Sequence, residues 1–383
     1  MLLAVATQNP ATVAETYVRQ HMRDILPGQT VGVALGGHGE GIPADMPFFA
    51  RESASASWPK RRVAALATLA RTGYAAALSR REEAALEAFF VKHRVTALLA
   101  EFGTTGLVLR KLAKRLGLRF VVNFHGYDAT VLPKRNDIRH GYALLARDAD
   151  AVVCGSRHFA AILRSLGFPA PRIHVIPCGV NSESFCVGDR DGRLIVGVGR
   201  LTAKKRPDLL VRAFAKARSE LPDLRLEIVG DGPERTLCKQ TVRDCGVASF
   251  VTLRGAQPHS EVRDALSRAS IFAQHSMTAE NGDQESQGIS LIEAMSAALP
   301  VVVTDHNGFS ETVVNGQTGF LSPEGDVDEM ATNIVTLATD QGLRERMGNA
   351  GRQRVADHFD AEHTAAQLRD LLFPAPVQMT QVT

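Results

Sequence analysis

The sequence predicts an α/β fold of two doubly wound, parallel-sheet domains, and three observations predict it. The chain has 383 residues, more than one ordinary hydrophobic core takes. Both halves alternate short β-branched apolar runs with helix-like stretches, the pattern of parallel strands buried on both faces. Between the halves, Pro177 to Arg193 is rich in Gly, Asn, Ser and Asp and keeps no steady period, as a join does.

The first half reads as strands at Leu2–Thr7, Val31–Gly36, Val95–Glu101, Arg119–Phe124 and Asp150–Ser156, with helices such as Ala84–Lys92 and Thr105–Leu116 between them. The second half repeats the scheme at Arg193–Gly199, Leu224–Gly230, Phe250–Gly255, Ser270–Gln274 and Pro300–Thr304. This places one domain at 1–183 and the second at 184–356. Asp357 to Phe373 reads as a last helix, ended by Pro374 and expected to pack back on the first domain.

Composition narrows the class. With 45% hydrophobic and 22% charged residues the chain is of soluble globular make-up, and no apolar run is long enough to span a bilayer. The N-terminus is too short and uncharged for a secretory signal. The five cysteines form no CxxC pair and no zinc-spaced cluster, so reduced thiols in a cytoplasmic protein are expected. Residues 1–183 carry 23 Lys and Arg against 14 Asp and Glu, whereas the remainder carries 21 against 27. Either the basic half meets something anionic, or two solvated surfaces merely differ. No nucleic-acid partner is expected.

The richest stretch is Ser276 to Val303. It holds Glu285 and Glu293 with seven residues between them, and Gly288 just before a helical rhythm at Ile289, Leu291, Ile292, Met295 and Leu299. A glycine-opened helix start presents unpaired N–H groups and so forms an anion seat for which phosphate is the commonest guest. The plainer alternative is a helix start with acids nearby, which its dipole favours anyway.

Three further motifs sit at strand ends, where open α/β sheets bind ligands. Gly197 to Pro207, GVGRLTAKKRP, sets Arg200 and Lys205 on a loop entering a helix near Pro207. Two such cations suit a diphosphate, although a KKR cluster alone is more often a solvated turn. The dinucleotide fingerprint GxGxxG fails here, since Thr202 takes the third glycine's place, and the chain carries no Walker A pattern. NFHGYD places His125 and Asp128 at the end of a strand, and the other histidines lack that setting, with glycine-flanked His38 a distant second. The Gly230–Asp231 turn is either structural or borders a nucleotide base. Glu311 in NGFSETVVNGQTGFL is read as structural, holding the Gly308 loop.

GRLxxxK, GDGPE, ExxxGxxxxEA followed by LPVV, a Gly-Phe-Ser-Glu turn and NGxTGFL, in this order across Arg193 to Asp357, resemble the retaining glycosyltransferases of family 4, which have the GT-B fold. HGYD, PATVAETYV and ENGDQE resemble the bacterial exopolysaccharide members of colanic-acid type. The resemblance implies two Rossmann-like domains facing across a cleft and a cytoplasmic enzyme, at the inner face of the cell membrane if it meets lipid. The enzyme so implied would move a sugar, with retention, from a nucleotide diphosphate sugar (UDP favoured over GDP) to a glycan or lipid-linked glycan. It also implies that Arg200 and Lys205 bind the diphosphate and that Gly288, Ile289 and Ser290 cap the phosphates. Glu293 then holds the ribose, and His125 and Glu285 face the donor sugar. Asp128, Gly230 and Asp231 border the donor base or the acceptor. No cofactor and no metal are expected, because the cations and helix end take the metal's part.

The chain departs from the family at Ser286, where relatives carry Gly, and at Ala14, where they carry Ser. Two rivals remain at this stage: a sugar-nucleotide epimerase of the same architecture, and a non-enzymatic two-lobed solute-binding protein. The segment Trp58 to Arg81, with Lys60, Arg61, Arg62, Arg71, Arg80 and Arg81 around an alanine- and leucine-rich middle, reads as a basic amphipathic helix. It either touches an anionic membrane or packs its alanines on the sheet.

Overall fold

The computed structural model describes residues 2–10, 16–36, 41–51, 74 and 77–375. Most of Trp58–Arg81 lies outside them, as do Ala14 and His38. Among the described residues no helix is long and apolar enough to cross a membrane.

The chain forms two compact units. The first holds the chain up to Cys154, then Ala160–Ile176 and the chain from Glu362; the second holds Gly155–Phe159 and Pro177–Ala361. The second unit resumes at Pro177, where the expected join Pro177 to Arg193 begins, and the 183/184 division drawn within that join lies inside the second unit.

Each unit is one parallel sheet. In the first, among the described residues, β1 (Leu3–Thr7), β2 (Thr30–Ala34), β3 (Phe48–Ala50), β4 (Ala97–Glu101), β5 (Arg119–Phe124), β6 (Ala151–Cys154) and β7 (Ile173–Val175) lie in the order β3-β2-β1-β4-β5-β6-β7. In the second, β8 (Leu194–Val198), β9 (Arg225–Val229), β10 (Val251–Gly255), β11 (Ile271–Gln274), β12 (Val301–Thr304) and β13 (Gly319–Ser322) lie in the order β10-β9-β8-β11-β12-β13. In both sheets the strand order therefore reverses once, between β1 and β4 and between β8 and β11. Such a topological switch point opens a crevice at the carboxyl ends of its strands.

The second sheet shows why its strands read as continuous apolar runs. Val196, Phe272, Val301 and Val303 enter one core with Leu291, Ile292 and Met295. Their neighbours Ile195, Ile271, Ala273 and Val302 enter the other, with Leu210, Phe214 and Ile334. Period-two alternation between two buried faces leaves no polar side to the strand.

The ten strands expected from the sequence are present. Phe48–Ala50, Ile173–Val175 and Gly319–Ser322 were not anticipated; all are short, and all lie at sheet edges. The helix expected from Ala84 starts earlier, at Arg80, because Ser79 and Glu82 form a capping box in which Glu82 N donates to Ser79 Oγ at 3.3 Å and Ser79 N to Glu82 Oε2 at 2.7 Å. The single helix expected at 357–373 is a correction. One helix ends at His358 and the next spans Ala361–Leu372. Between them Val180 N donates to Phe359 O at 2.9 Å and Ala361 N donates to Val180 O at 3.1 Å, so a distant segment takes the groups that would continue the helix. Arg369 Nε then donates to Ile25 O at 2.6 Å, tying the last helix to the first unit.

Candidate functional site

In the second unit, polar side chains converge at the ends of β8 and β11. Gly199 follows β8 with φ +148, and the Lys205 side chain lies over it: a Cβ there would come within 3.1 Å of Lys205 Nζ. From below, Gly230 presses on the same loop, since its own Cβ would fall 2.0 Å from Gly199 O. Leu201 N donates to Asp231 O at 3.0 Å. The Asp231 carboxylate accepts from Gly232 N at 2.8 Å and from Arg235 Nη1 at 2.5 Å. The Gly230–Asp231 turn is thus the floor of the cation loop.

Three consecutive cations each take a different partner. Lys204 Nζ stands 3.3 Å from Asp283 Oδ1 and 3.0 Å from Gln284 O. Lys205 Nζ stands 2.9 Å from Glu285 Oε2, with both side chains about one-seventh exposed. Arg206 clasps Asp208 at 2.9 and 2.8 Å. The cluster is therefore not a solvated turn: Lys204 and Lys205 fasten the loop that carries Glu285. Arg200, by contrast, is exposed and makes no ion pair with any described residue. Turned to suit its four neighbours, the Gln274 amide accepts from Lys205 Nζ and Ser276 Oγ, each at 3.1 Å, and donates to Ser290 Oγ at 3.1 Å and Val198 O at 3.2 Å.

Burial pushes the Glu285 carboxyl up, but the Lys205 and Lys204 charges and the Lys205 hydrogen bond outweigh it and bring it down to about 2. Its backbone is fixed as well. Glu285 N donates to His306 Nε2 at 3.1 Å, while His306 Nδ1 bonds Glu324. A neutral imidazole with its proton on Nδ1 satisfies both.

Gly288, at φ +80, opens the helix Ile289–Ser296. A side chain there would strike Phe309, whose Cε1 lies 2.1 Å from the added Cβ. Among the described residues the N–H groups of Ile289 and Ser290 have no protein acceptor. At the far end Arg190 donates to the carbonyls of Ala297 and Ala298 at 2.5 and 2.8 Å, as the helix dipole favours. Glu293, 7% exposed, meets His259 Nε2 at 2.8 Å. Ser286 keeps its side chain buried, and the close passage that a glycine would give is supplied by Gly308 opposite, whose Cβ would lie 2.0 Å from Ser286 O. Glu311 does not hold the Gly308 loop: its carboxylate accepts from the backbone N–H groups of Arg157 and His158 at 2.9 and 3.0 Å.

The first unit has its own polar cluster at the ends of β4 and β5. His125 Nε2 lies 2.6 Å from Glu101 Oε2, and His21 Nδ1 lies 2.7 Å from Glu101 Oε1. Asn123 Nδ2 adds a donor at 3.2 Å. Asp128 is spent on the backbone, accepting from His125 N and Gly126 N at 3.0 Å each and from Gly103 N at 2.8 Å.

Sequence reasoning missed Glu101, His21, His259 and His306. For His306 a signal existed: like His125, it follows a strand end, as does His275, so the expectation that the other histidines lack that setting is corrected. Glu101 and His259 carried no comparable mark.

An acid titration tests both buried carboxylates. Burial raises Glu101, but His21 and His125 bring it down to about 2, as the lysines do Glu285. A depressed folded-state value means the unfolded chain takes up the proton first. The stability from both groups is therefore intact above about pH 4.5 and lost as pH falls toward 2. Stepwise denaturant unfolding across this window shows a shallower fall for Glu101→Gln than for the wild type; equal slopes refute the assignment.

Two doubly wound units, one with a cation loop and an open helix end at its switch point, define a protein of the GT-B class. HepE from Anabaena in complex with UDP superposes with a TM-score of 0.76 at 18% identity, over 97% of this chain and 99% of that one. Sucrose-phosphate synthase from Thermosynechococcus elongatus gives 0.77 at 20%, over 97% and 98%. Residues 187–354 match the glycosyl transferases group 1, and residues 49–184 match glycosyltransferase family 4. The GDP-mannose-dependent alpha-(1-6)-phosphatidylinositol monomannoside mannosyltransferase of Mycolicibacterium smegmatis is 31% identical, over 69% of this chain and 73% of its own. The amylovoran biosynthesis glycosyltransferase AmsK of Erwinia amylovora is 29% identical, over 72% and 69%. The chain belongs to the glycosyltransferases that join a family 4 domain to a group 1 domain. The epimerase and solute-binding readings fall with that membership.

Proposed function

We propose that this glycosyltransferase moves a sugar, with retention, from a nucleotide diphosphate sugar to a glycan or lipid-linked glycan acceptor in cell-surface polysaccharide biosynthesis. The observation that carries the reading is the Lys205–Glu285 pair beside the open N–H groups of Ile289 and Ser290, at the switch point between β8 and β11. A departing diphosphate gathers negative charge, and a fixed cation with preorganised N–H groups stabilises it as it forms. Arg200, exposed and without a described partner, adds a second cation for the phosphates. Glu293 accepts the ribose hydroxyls, with His259 holding its other oxygen. Glu285, anchored by Lys205 and by its own N–H, faces the sugar without acting as nucleophile. The acceptor attacks from the face the diphosphate leaves, and the leaving phosphate helps remove its proton.

The polysaccharide setting is supported by AmsK, named for amylovoran biosynthesis. The family resemblance favours UDP over GDP, whereas the mycobacterial relative is named for GDP-mannose, so the test uses both. The protein is incubated with a panel of UDP- and GDP-sugars and free nucleoside diphosphate is measured, with and without EDTA. Release from one sugar family, unaffected by chelator, is expected. Release that needs added Mg²⁺ or Mn²⁺ overturns metal independence, and no release from any donor overturns the reading.

A further inference from the structure

We propose that Glu101 is a positioning residue which fixes the tautomer and ring orientation of His125 for sugar transfer, with His21 as its counter-anchor. The inference rests on the proposed sugar transfer and on the family resemblance, which implies that His125 faces the donor sugar.

Glu101 is fully buried, and both of its oxygens are engaged. Oε1 takes His21 Nδ1 at 2.7 Å; Oε2 takes His125 Nε2 at 2.6 Å and Asn123 Nδ2 at 3.2 Å. An ionised carboxylate only accepts, so the ring atoms facing it must carry protons. The proton of His125 is thereby assigned to Nε2, and Nδ1 becomes the acceptor of the neutral ring. The ionised carboxylate this needs is favoured by the cluster itself: burial raises Glu101, but His21 and His125 outweigh it and bring it down to about 2.

The rest of the surroundings hold the same ring. Tyr17 lies 4.4 Å from it and Phe102 4.7 Å, centroid to centroid. Phe102 has φ +73, a left-handed backbone that a bulky residue rarely adopts, and it directly follows Glu101 at the end of β4. This kink sends Glu101 inward while the next side chain turns onto the histidine, and strain of this kind persists where a site over-determines it. Asp128 ties His125 N and Gly126 N to Gly103 N, the residue after Phe102, so the ends of β4 and β5 are clasped together. An ordinary core ion pair needs none of this convergence, nor a place on β4 beside the switch point.

The test uses the full chain and has two arms. In the first, ring ¹⁵N shifts of His125 are measured in the wild type without donor. The Nε2–H tautomer is expected, and an Nδ1–H tautomer overturns the proposal whatever the enzyme does. In the second, Glu101→Gln is made in the wild type and in His125→Ala, and kinetics use whichever donor the panel identifies. In the wild type kcat falls at least about tenfold with donor KM within about twofold, and in His125→Ala the same change costs nothing further. An equal loss in both backgrounds overturns the proposal. Should Glu101→Gln fail to fold, the wild-type tautomer still decides. A correct tautomer in a protein that releases no nucleoside diphosphate counts against the proposed function rather than against this assignment.

Discussion

Lys205→Ala lowers kcat/KM for the donor by about 10- to 150-fold, the range of about 1.5–3 kcal/mol for one charged contact to phosphate. It also destabilises the second unit. The substitution leaves Glu285 largely buried with its nearest cation gone, and stripping one partner from a buried pair costs about 3–5 kcal/mol. The remaining exposure of both side chains and the nearby Lys204 place the loss at or below the lower end. Arg200→Ala behaves differently. Its side chain is exposed and pairs with no described residue, so donor affinity falls while the melting temperature stays put. The double variant Lys205→Ala/Glu285→Gln separates the two effects: neutralising the stranded carboxylate restores much of the melting temperature and none of the activity. Calorimetry with donor kinetics decides, and an unchanged donor affinity in both single lysine and arginine variants removes the diphosphate from this loop.

Glu285→Gln lowers kcat by about 10²-fold and moves donor KM little, because a charge aimed at the reacting sugar matters most when the transition state forms. Glu293→Ala does the reverse, raising donor KM about tenfold at nearly constant kcat, since a ribose contact is equal before and during the reaction. The contrast follows from placement. Glu285 is locked from both sides, by Lys205 at its carboxylate and His306 at its backbone. Glu293 sits in the second turn of the helix behind, with one oxygen on His259. Loss of kcat in Glu293→Ala at constant KM reverses the assigned roles.

The sequence makes the second unit's site legible because Glu285, Gly288 and Glu293 lie in one short segment whose spacing is set by a loop and a single helix. Lys205 is legible for a similar reason, as part of a loop that leaves a strand. Its partner is not: that Lys205 meets Glu285 depends on two loops meeting at the ends of β8 and β11. The first unit's cluster is still less visible. His21 and Glu101 are 80 positions apart, and only the adjacency of β1 and β4 unites them. Glu101 closes an apolar strand, where a carboxylate reads as the start of solvent and is instead fully buried. The three unanticipated strands fail for another reason: three or four residues at a sheet edge are too few to show a period. The broken C-terminal helix needed knowledge of Val180, which no local pattern carries.

The two fastened loops also constrain anyone who would rebuild this enzyme. Lys204 grips Asp283 and the carbonyl of Gln284, its own carbonyl receives Met277 N at 2.8 Å, and Lys205 grips Glu285. Gly199–Pro207 and Ser276–Gly288 therefore form one inheritable block, although about seventy residues of chain separate them. A chimera that grafts either segment alone from a relative disturbs four contacts at once, whereas one that moves both keeps the lock and key together. Crossover points for recombining donor preference therefore belong before Gly199 and after Gly288, so that both segments come from the same parent.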